Sequence, residues 1–269
     1  MKIGIISLGL IGGSLFKCLS KTEHTVYAVT RSSETISKAK KYSEFVSADI
    51  NILKECDVIF VASPMNKVLE TLDMLENVVD KNCIVLDCSS VKEFVMKKER
   101  PYKFIGSHPM AGTQFSGFDS AFKELFEGAK WVLTPSNSIK EEDIEKVEKI
   151  ILKTGAEPIV CDAKEHDYAA ALISHMPLLI SQAIFKTAKD NKLALKLAAS
   201  GFRDMTRLAT SNLDMAMDMR EYNQENIDIS VKKFNEELNF LNNTKDLEIY
   251  VDIKNTRSSM YSNEGKNIF

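Results

Sequence analysis

The sequence lacks the cysteine spacing of a metal site or of a disulfide framework. Its five cysteines are odd in number, are scattered along the chain, and form no Cys-x-x-Cys pair. Zinc sites need closely spaced cysteines, and disulfide-bonded secreted domains usually have an even number of them. We therefore expect reduced, mostly buried thiols in a cytoplasmic protein, and no metal site.

The sequence also lacks an excess of positive charge and a long apolar run. Its 35 basic and 38 acidic residues give a net charge of −3, whereas proteins that bind nucleic acid or anionic membranes usually carry a basic field. No apolar run approaches the roughly 18 residues that cross a bilayer, and the N-terminal run has no small-residue cleavage site. We expect a small-molecule substrate, with no nucleic-acid partner and no membrane partner.

Short apolar segments alternate with helical segments over the first 160 residues. This alternation is typical of parallel βαβ units, and the near-continuous apolar strands indicate a sheet that is covered on both faces. Strands are predicted at 2–7, 25–29, 45–46, 57–62, 83–87, 102–106, 131–134 and 158–161, and helices at 11–20, 33–42, 66–78 and 142–154. The first part of the chain is therefore predicted to be a Rossmann-type α/β domain.

The composition changes after Asp162, where residues 163–243 are rich in Ala, Leu, Met and Lys at helical spacing. Pro177 is expected to interrupt one long helix and Gly201 to end another. A further helix is predicted over 225–241. Residues 255–269 are polar and aperiodic, and we expect them to be mobile.

We predict two domains, an α/β Rossmann-type N-terminal domain over 1–162 and an all-α domain over 163–269. About a hundred helical residues provide a thin core on their own. Our hypothesis is that a second copy of the chain completes it, so that the helical domain serves both substrate binding and dimerisation in a homodimer.

A glycine-rich turn follows the first predicted strand. The nucleotide-binding fingerprint is Gly-x-Gly-x-x-Gly between a strand and a helix; here Ser7 replaces the first glycine, and Gly9 and Gly12 keep the other two. The helix N-terminus favours an anion such as a pyrophosphate. The pattern predicts a dinucleotide site, and the alternative is a turn that needs glycine only for its backbone. The predicted cofactor contacts in this turn are Leu8, Gly9, Leu10, Ile11 and Gly12.

The end of the second predicted strand bears on the choice of cofactor. An acidic residue there would bind a ribose 2′-hydroxyl, but this chain has Thr30, Arg31 and Ser32 instead. Arg31 can pair with a 2′-phosphate, and no carboxylate repels it. We predict NADP as the preferred cofactor with NAD possible; the alternative is that Arg31 only stacks on adenine, which would permit both.

Polar segments follow three further strands at the carboxyl edge of the predicted sheet, where ligands of open α/β sheets bind. Ser63 and Pro64 follow one strand and are expected to contact the cofactor, and Ser90 follows the next. His108 follows the third, and Pro109 after it holds the histidine backbone extended. A histidine held in this way suits general base catalysis near neutral pH; the alternative is a ring that only caps a loop.

Five motifs occur in the order of a known family. They are Gly9-Leu10-Ile11-Gly12-Gly13-Ser14, Asp87-x-x-Ser90-Val91-Lys92, Ser107-His108-Pro109-Met110-Ala111-Gly112, Ser174-His175-Met176-Pro177 and Gly201-Phe202-Arg203-Asp204-Met205-Thr206-Arg207. Together they resemble the prephenate/arogenate dehydrogenase family of tyrosine biosynthesis, over residues 1 to about 240. Any one motif is weak, but the ordered set is specific.

The resemblance implies an oxidative decarboxylation, in which a cyclohexadiene ring loses hydride from its carbinol carbon and carbon dioxide from the opposite carbon. It implies that His108 takes the hydroxyl proton, that Ser90 orients the hydroxyl, and that Arg207 pairs with a substrate carboxylate. Asp204, three residues earlier, is expected to orient Arg207. Lys92 is expected to be structural. The other residues expected to contact substrate are Thr113, Gln114 and Ser174.

Three positions depart from the prephenate-specific pattern of the family. Gln114 replaces a glutamate of some relatives, Leu178 replaces a second histidine, and Ala216 replaces a tryptophan. Prephenate carries a keto acid where arogenate carries an ammonium, and these residues leave both substrates open. We favour prephenate because it is the commonest substrate of the family.

Two other classes remain as alternatives. A β-hydroxyacid dehydrogenase or an imine reductase would place a lysine in the first helix of the second domain, but no lysine occurs between 165 and 185. A non-catalytic NADP-sensing protein would not need His108 and Ser90 on neighbouring strand ends.

Overall fold

The structure, a computed structural model, describes residues 1–262 of the 269-residue chain. Eight strands form one sheet in the order β3-β2-β1-β4-β5-β6-β7-β8, whose first six strands follow the dinucleotide-binding order of doubly wound folds. The strands are β1 Lys2–Ile6, β2 Thr25–Val29, β3 Val46–Ser47, β4 Val58–Val61, β5 Ile84–Asp87, β6 Lys103–Pro109, β7 Lys130–Pro135 and β8 Glu157–Val160.

One strand pairing differs from the prediction of parallel units. All neighbouring strands run parallel except β6 and β7, which pair antiparallel, with His108 opposite Val132. A parallel connection needs a crossover segment, usually a helix, and residues 110–129 between these strands contain none. The expectation of parallel units throughout is therefore wrong for β7.

Helices cover both faces of the sheet. The helices of the α/β part are α1 Leu10–Leu19, α2 Ser33–Ala39, α3 Met65–Leu75, α4 Glu93–Met96 and α5 Glu141–Leu152. Alternate strand residues enter two separate cores, so that Ile5 and Phe60 lie in one and Ile6 and Ile59 in the other. Because side chains alternate across a strand, two apolar faces require the near-continuous apolar strands that the sequence contains, and the predicted two-sided burial is confirmed.

Every element that the structure describes after Val160 is helical. They are α6 Ala163–Ala170, a π-helical turn Ala171–His175, α7 Met176–Ala188, α8 Lys192–Leu197, α9 Ser200–Thr206, a 3₁₀ turn Arg207–Thr210, α10 Leu213–Asn243 and α11 Leu247–Ser262. The predicted fold class, a Rossmann-type domain followed by an all-α region, is confirmed. Within α10, Asn223 has non-helical backbone angles.

Three predictions about this helical region are wrong. Pro177 does not interrupt the helix, because it lies in the first turn of α7, directly after the wider π-helical turn, where a missing N–H donor is tolerated. Gly201 lies inside α9, and the break falls at Ala198 and Ala199, whose backbones are extended. Residues 255–262 are helical, and α11 is capped where Asp246 accepts a hydrogen bond from the Glu248 amide (3.0 Å). The rest of the tail expected to be mobile, 263–269, lies outside the described residues.

One helical run qualifies as a membrane span by length and composition alone, contrary to the expectation from the sequence. Residues Ala163–Ala188 form 26 consecutive helical residues with a mean hydropathy of 1.4 in their most apolar window. A single such helix is weak evidence, because core helices of globular proteins meet the same criterion.

The chain forms two compact units, Met1–Ile227 and a second that begins at Asp228. All the residues of the candidate site described below belong to the first unit. Leu178 and Met219, from the helical region, are buried in one of the two cores beside the sheet. Helix α7 and the first part of α10 are thus packed against the α/β part.

Candidate active site

The turn between β1 and α1 adopts the conformation that the fingerprint requires. Ser7 has a φ of +69°, in the left-handed region that favours glycine, and it is the only non-glycine residue with positive φ among those described. Its hydroxyl lies 3.1 Å from the Ser63 hydroxyl, which lies 3.2 Å from the Thr71 hydroxyl. Ser7 therefore keeps the glycine conformation and links the ends of β1 and β4.

The two remaining glycines of the turn have different surroundings. A Cβ atom at Gly12 would lie 2.1 Å from the Ser7 carbonyl oxygen and 2.9 Å from the Ala62 Cβ, whereas a Cβ at Gly9 would have nothing within 4 Å. Gly12 thus permits the close contact of α1 with the strand ends, and Gly9 leaves open space at the N-terminus of α1. The turn therefore fits an anionic pyrophosphate. Leu8 is buried in the core, so only its backbone can reach a ligand.

The end of β2 carries no carboxylate between residues 30 and 32. Arg31 is exposed, and its side chain forms no hydrogen bond or ion pair with the part of the chain that the structure describes. The Ser32 hydroxyl accepts a hydrogen bond from the Thr35 amide (3.2 Å) and caps α2. Ser32 thus has a structural task as well as its predicted contact. Thr30 is half-buried, and Pro64 directly precedes α3.

The strand β6 continues beyond its predicted end at residue 106, so that His108 lies within it, with the extended backbone that the sequence predicted. Its Nδ1 lies 2.9 Å from His166 Nε2, and His166 Nδ1 lies 2.8 Å from Asp167 Oδ1. His108 Nε2 has no hydrogen-bond partner among residues 1–262. The three side chains form a chain that leads from α6 to the carboxyl edge of the sheet, and we call it the Asp167–His166–His108 chain.

Asp167 is the anchor of this chain. Its two carboxylate oxygens accept hydrogen bonds from the backbone amides of Lys92 (2.6 Å) and Glu93 (2.8 Å). Its own carbonyl accepts one from the Asn223 side chain (2.8 Å), which also donates to His175 Nδ1 (3.1 Å). The carboxylate is 1% exposed, so water does not compete for these contacts.

His108 and His175 are neutral at neutral pH. Burial, followed by the nearby His166 and Lys92, lowers the pKa of His108 well below its ordinary value. Burial lowers the pKa of His175 to about 4, against the opposing effect of Asp167. A neutral His108 can accept a proton, which is the state that a general base needs.

A buried ion pair lies beneath the histidine strand. Lys92 and Asp87 are both fully buried and paired, and the Lys92 ammonium also donates to the Ser107 carbonyl (2.7 Å). Asp87 in turn accepts from the Ser107 amide (2.9 Å). These contacts tie β5 to the residue before His108, which agrees with the structural task expected of Lys92.

Ser90 follows β5, next to β6 in the sheet, and its hydroxyl lies 3.5 Å from the Met65 sulfur. Ser90 and His108 thus come from neighbouring strand ends, with no hydrogen bond between them among the described residues. Thr113 and Gln114 lie on an exposed loop after β6, and Ser174 is half-buried in the π-helical turn. Such turns are frequent at functional sites.

Arg207 begins the exposed 3₁₀ turn after α9. The expected orienting role of Asp204 is wrong in this structure, because the Asp204 carboxylate pairs with the Arg203 side chain (3.3 Å). Arg207 starts a new helical turn of different pitch, so the i, i+3 spacing of a regular α-helix does not hold across this junction.

An apolar cavity of about 210 Å³ adjoins the site within the helical region. It contains Leu178 and Ala216, the positions that depart from the prephenate-specific pattern, together with His175 and Arg220. His175 Nε2 is buried without a hydrogen-bond partner in the described chain. This cavity is therefore mostly apolar, with one arginine and one unpartnered ring nitrogen.

Two residues of the site, Asp167 and Asn223, were not predicted from the sequence. The contact between His166 and His108 was not foreseen either. The one available signal was the adjacent His166-Asp167 pair in the first helix after β8. Its partner lies 58 residues away in the sequence, a separation at which spacing gives no indication of contact.

The chain matches two family models, one after the other along the sequence. Residues 17–160 match the model described as prephenate dehydrogenase, nucleotide-binding domain, and residues 162–248 match prephenate dehydrogenase, dimerization domain. Among curated proteins, the prephenate dehydrogenase of Lactococcus lactis is 32% identical over 225 residues, which are 78% of this chain and 62% of that protein. The chain spans less than two thirds of the length of the first curated relatives that it matches.

Two solved structures are similar over almost the whole chain. The arogenate dehydrogenase of Synechocystis is 31% identical with a TM-score of 0.84, and the match covers 97% of this chain and 99% of that one. The prephenate dehydrogenase of Aquifex aeolicus, in complex with hydroxyphenyl propionate and NAD⁺, is 26% identical with a TM-score of 0.80, over 98% and 95%. The chain belongs to the prephenate dehydrogenase family.

Proposed function

We propose that this chain is a nicotinamide-dependent dehydrogenase that converts prephenate to 4-hydroxyphenylpyruvate by oxidative decarboxylation, in the biosynthesis of tyrosine. The observation that carries the proposal is His108, which is neutral and lies at the carboxyl edge of the sheet, with one ring nitrogen bonded to His166 and the other without a partner in the described chain. The family membership supplies the substrate class.

The glycine turn is the proposed cofactor site. Gly9 leaves open space at the N-terminus of α1, and Gly12 keeps that helix against the strand ends. Arg31, with no carboxylate beside it, supports NADP as the preferred cofactor and NAD as a possible one. When bound at this turn, a nicotinamide would supply the acceptor for the hydride that leaves the carbinol carbon of the substrate. The remaining proposed contacts are Leu8, Leu10, Ile11, Thr30, Ser32, Ser63 and Pro64.

The side chains of the site divide the remaining tasks. The Ser90 hydroxyl orients the substrate hydroxyl, and His108 Nε2 takes its proton as the C–H bond breaks. The carboxylate on the opposite ring carbon leaves as carbon dioxide, and the electron pair of the broken C–C bond makes the ring aromatic as a phenolate. His108 then returns the proton to the phenolate oxygen. Arg207 pairs with a substrate carboxylate. The other proposed substrate contacts are Thr113, Gln114 and Ser174.

A four-way assay tests this proposal. Prephenate and arogenate are offered separately, each with NAD and with NADP, and formation of reduced nicotinamide is measured by its absorbance. We expect turnover with prephenate, and a higher kcat/KM with NADP than with NAD. A higher kcat/KM with NAD than with NADP would overturn the proposed cofactor preference. An absence of turnover under all four conditions would overturn the proposed enzymatic function.

A His108→Asn variant separates an enzyme from a protein that only senses NADP. The expected result is a loss of about 10²–10⁴-fold in kcat while NADP binding is retained, because only proton transfer is removed. If turnover survived unchanged, His108 would not be the base.

Arogenate is the second candidate substrate. Leu178 is 6% exposed and apolar at the position where prephenate-specific relatives carry a histidine, and it borders the apolar cavity. The similar Synechocystis enzyme is named an arogenate dehydrogenase. Turnover of arogenate but not of prephenate in the same assay would favour this alternative.

We also propose that the enzyme is a cytoplasmic homodimer, with residues 1–162 as the cofactor domain and 163–269 as the domain for substrate and dimerisation. The helical region leaves several large apolar side chains more than half exposed. They are Ile173, Leu193, Leu197, Met205, Leu213 and Met217. Exposed apolar surface of this kind is typical of a protein interface, and the family model for residues 162–248 is described as a dimerization domain.

A further inference from the structure

The Asp167–His166–His108 chain has a direction that follows from the donors and acceptors along it. Both oxygens of Asp167 accept backbone N–H groups, at 2.6 and 2.8 Å. An ionised carboxylate only accepts hydrogen bonds. The contact of 2.8 Å between Asp167 Oδ1 and His166 Nδ1 is therefore a bond that His166 donates.

The proton position on His166 in turn determines the proton position on His108. A neutral imidazole carries one proton, so a His166 ring that donates from Nδ1 has an unprotonated Nε2. This Nε2 lies 2.9 Å from His108 Nδ1. It can only accept there, and His108 must donate from Nδ1. The remaining nitrogen of His108, Nε2, is then the unprotonated one.

We propose that His166 and Asp167 are positioning residues that fix His108 in the tautomer with its proton on Nδ1, so that Nε2 is the proton acceptor. This inference rests on the proposed role of His108 as the base. Without the chain, His108 would divide between two tautomers, of which only one can accept the substrate proton at Nε2.

The surroundings keep this arrangement in place. The side chains of His166 and Asp167 are 4% and 1% exposed, so water offers them no alternative partner. The Asn223 side chain donates a hydrogen bond of 2.8 Å to the Asp167 carbonyl, and the backbone of His108 is fixed within β6. When His108 gains the substrate proton on Nε2, the Asp167 carboxylate at the far end of the chain stabilises the imidazolium, as in other Asp–His arrangements.

The tautomer is read directly by nitrogen-15 NMR of the histidine rings. The chain has only four histidines, and single His→Gln variants assign the four sets of signals in long-range proton–nitrogen correlation spectra. We expect His108 and His166 both to carry their proton on Nδ1. A His108 ring with its proton on Nε2 would overturn the proposal in the unmodified protein, with no variant needed.

Variants then test whether the Asp167–His166–His108 chain contributes to turnover. We expect Asp167→Asn to lower kcat by about 10²-fold or more with little change in the KM of either substrate, and to alter the His108 tautomer signal. His166→Gln should retain more of the kcat than His166→Leu, because a glutamine amide oxygen can still accept the His108 proton. Equal losses in both His166 variants, with an unaltered tautomer, would indicate a merely structural role.

His24→Gln is the matched control. His24 is also a buried histidine, with 5% of its side chain exposed, but it makes no contact with the Asp167–His166–His108 chain. Its kcat and the His108 signals should stay unchanged. The two hypotheses fail separately. If His108→Asn kept its turnover, the proposed function would fall; if that variant lost turnover but the spectra placed the His108 proton on Nε2, only the positioning role would fall.

Discussion

Ser7 departs from the fingerprint in side chain but keeps its backbone conformation. A non-glycine residue in the left-handed region costs about 1–2 kcal/mol, and here the Ser7 hydroxyl forms a hydrogen bond with Ser63 (3.1 Å). The substitution is therefore tolerated in the folded chain, and the open space is supplied by Gly9 instead. At the scale of residues, conformation and free space rather than residue identity determine whether a nucleotide can bind.

Arg31 bears on the cofactor in a way that kinetics can test. In an Arg31→Ala variant we expect the KM for NADP to rise about 10–100-fold, because a hydrogen bond to a charged group contributes about 1.5–3 kcal/mol. NAD is the internal control, since it lacks the 2′-phosphate, and its KM should stay constant. An equal rise for both cofactors would mean instead that Arg31 stacks on the adenine.

At the scale of elements, the presence of the strands was predicted well from the sequence, but the relative direction of neighbouring strands was not. The alternation of apolar and helical segments locates every strand, because burial on both faces of a sheet leaves that pattern in the sequence. The antiparallel pairing of β6 with β7 depends on what connects them, and residues 110–129, which form no helix, leave no such pattern. The contact between β6 and α6 at His108 and His166 depends on tertiary packing across 58 residues.

The same limit applies to the site. Ser90 and His108 could be placed from the sequence because Ser90 follows β5 and His108 lies at the end of β6, and the carboxyl ends of parallel strands meet at one edge of a sheet. The pairing of Asp204 with Arg203 rather than Arg207 could not be foreseen, because it depends on where α9 ends. Residues on strands are thus predicted better than residues at helix ends.

Helix α1 offers a matched pair of substitutions. Gly12→Ala should destabilise the protein by about 1–3 kcal/mol and abolish cofactor binding, because the new Cβ would lie 2.1 Å from the Ser7 carbonyl oxygen. Gly9→Ala should keep the stability, since its Cβ meets nothing within 4 Å, but should weaken cofactor binding because it fills the proposed pyrophosphate space. Thermal unfolding and NADP titration measure both effects. Unchanged NADP affinity in Gly9→Ala would place the cofactor elsewhere.

At the scale of the whole molecule, the exposed apolar residues of the helical region predict an assembly. A Leu197→Glu/Leu213→Glu double variant should raise the dimer dissociation constant by at least about 10²-fold, because burial of each leucine in the dimer interface would contribute about 1.5–3 kcal/mol. Leu197 and Leu213 are 71% and 70% exposed in the single chain. Sedimentation at several concentrations measures the constant.

The control for the assembly is Leu152→Glu, which changes a 58% exposed leucine on α5, in the α/β part of the chain. It should leave the dissociation constant unchanged. A wild-type protein that sediments as a monomer would contradict the homodimer, and an equal effect of Leu152→Glu would show that the effect of the double variant is not local to the helical region.

The stability of the folded molecule should depend on pH through His175. Its pKa is lowered to about 4 in the fold from an ordinary 6.5, so below pH 6.5 the unfolded chain binds a proton that the folded chain does not. The free energy of unfolding therefore falls as the pH falls from 6.5 to about 4, by about 1.4 kcal/mol per pH unit for this one proton, and the fall from this group ends below that range. The physical reason is local: a proton on His175 Nδ1 would face the amide that Asn223 donates at 3.1 Å.

Denaturant unfolding at a fixed protein concentration, at pH 7.5, 6 and 5, measures this dependence. His108 also has a lowered pKa, so the wild-type slope contains more than one group, and the informative quantity is the difference from His175→Asn. The asparagine oxygen can still accept the Asn223 hydrogen bond but cannot be protonated. The variant should lose about one proton from the slope between pH 6.5 and 5, while the two proteins have parallel curves above pH 7. Parallel curves of the free energy of unfolding over the whole pH range would contradict this prediction, because they would mean that His175 gains its proton in the folded chain as readily as in the unfolded chain.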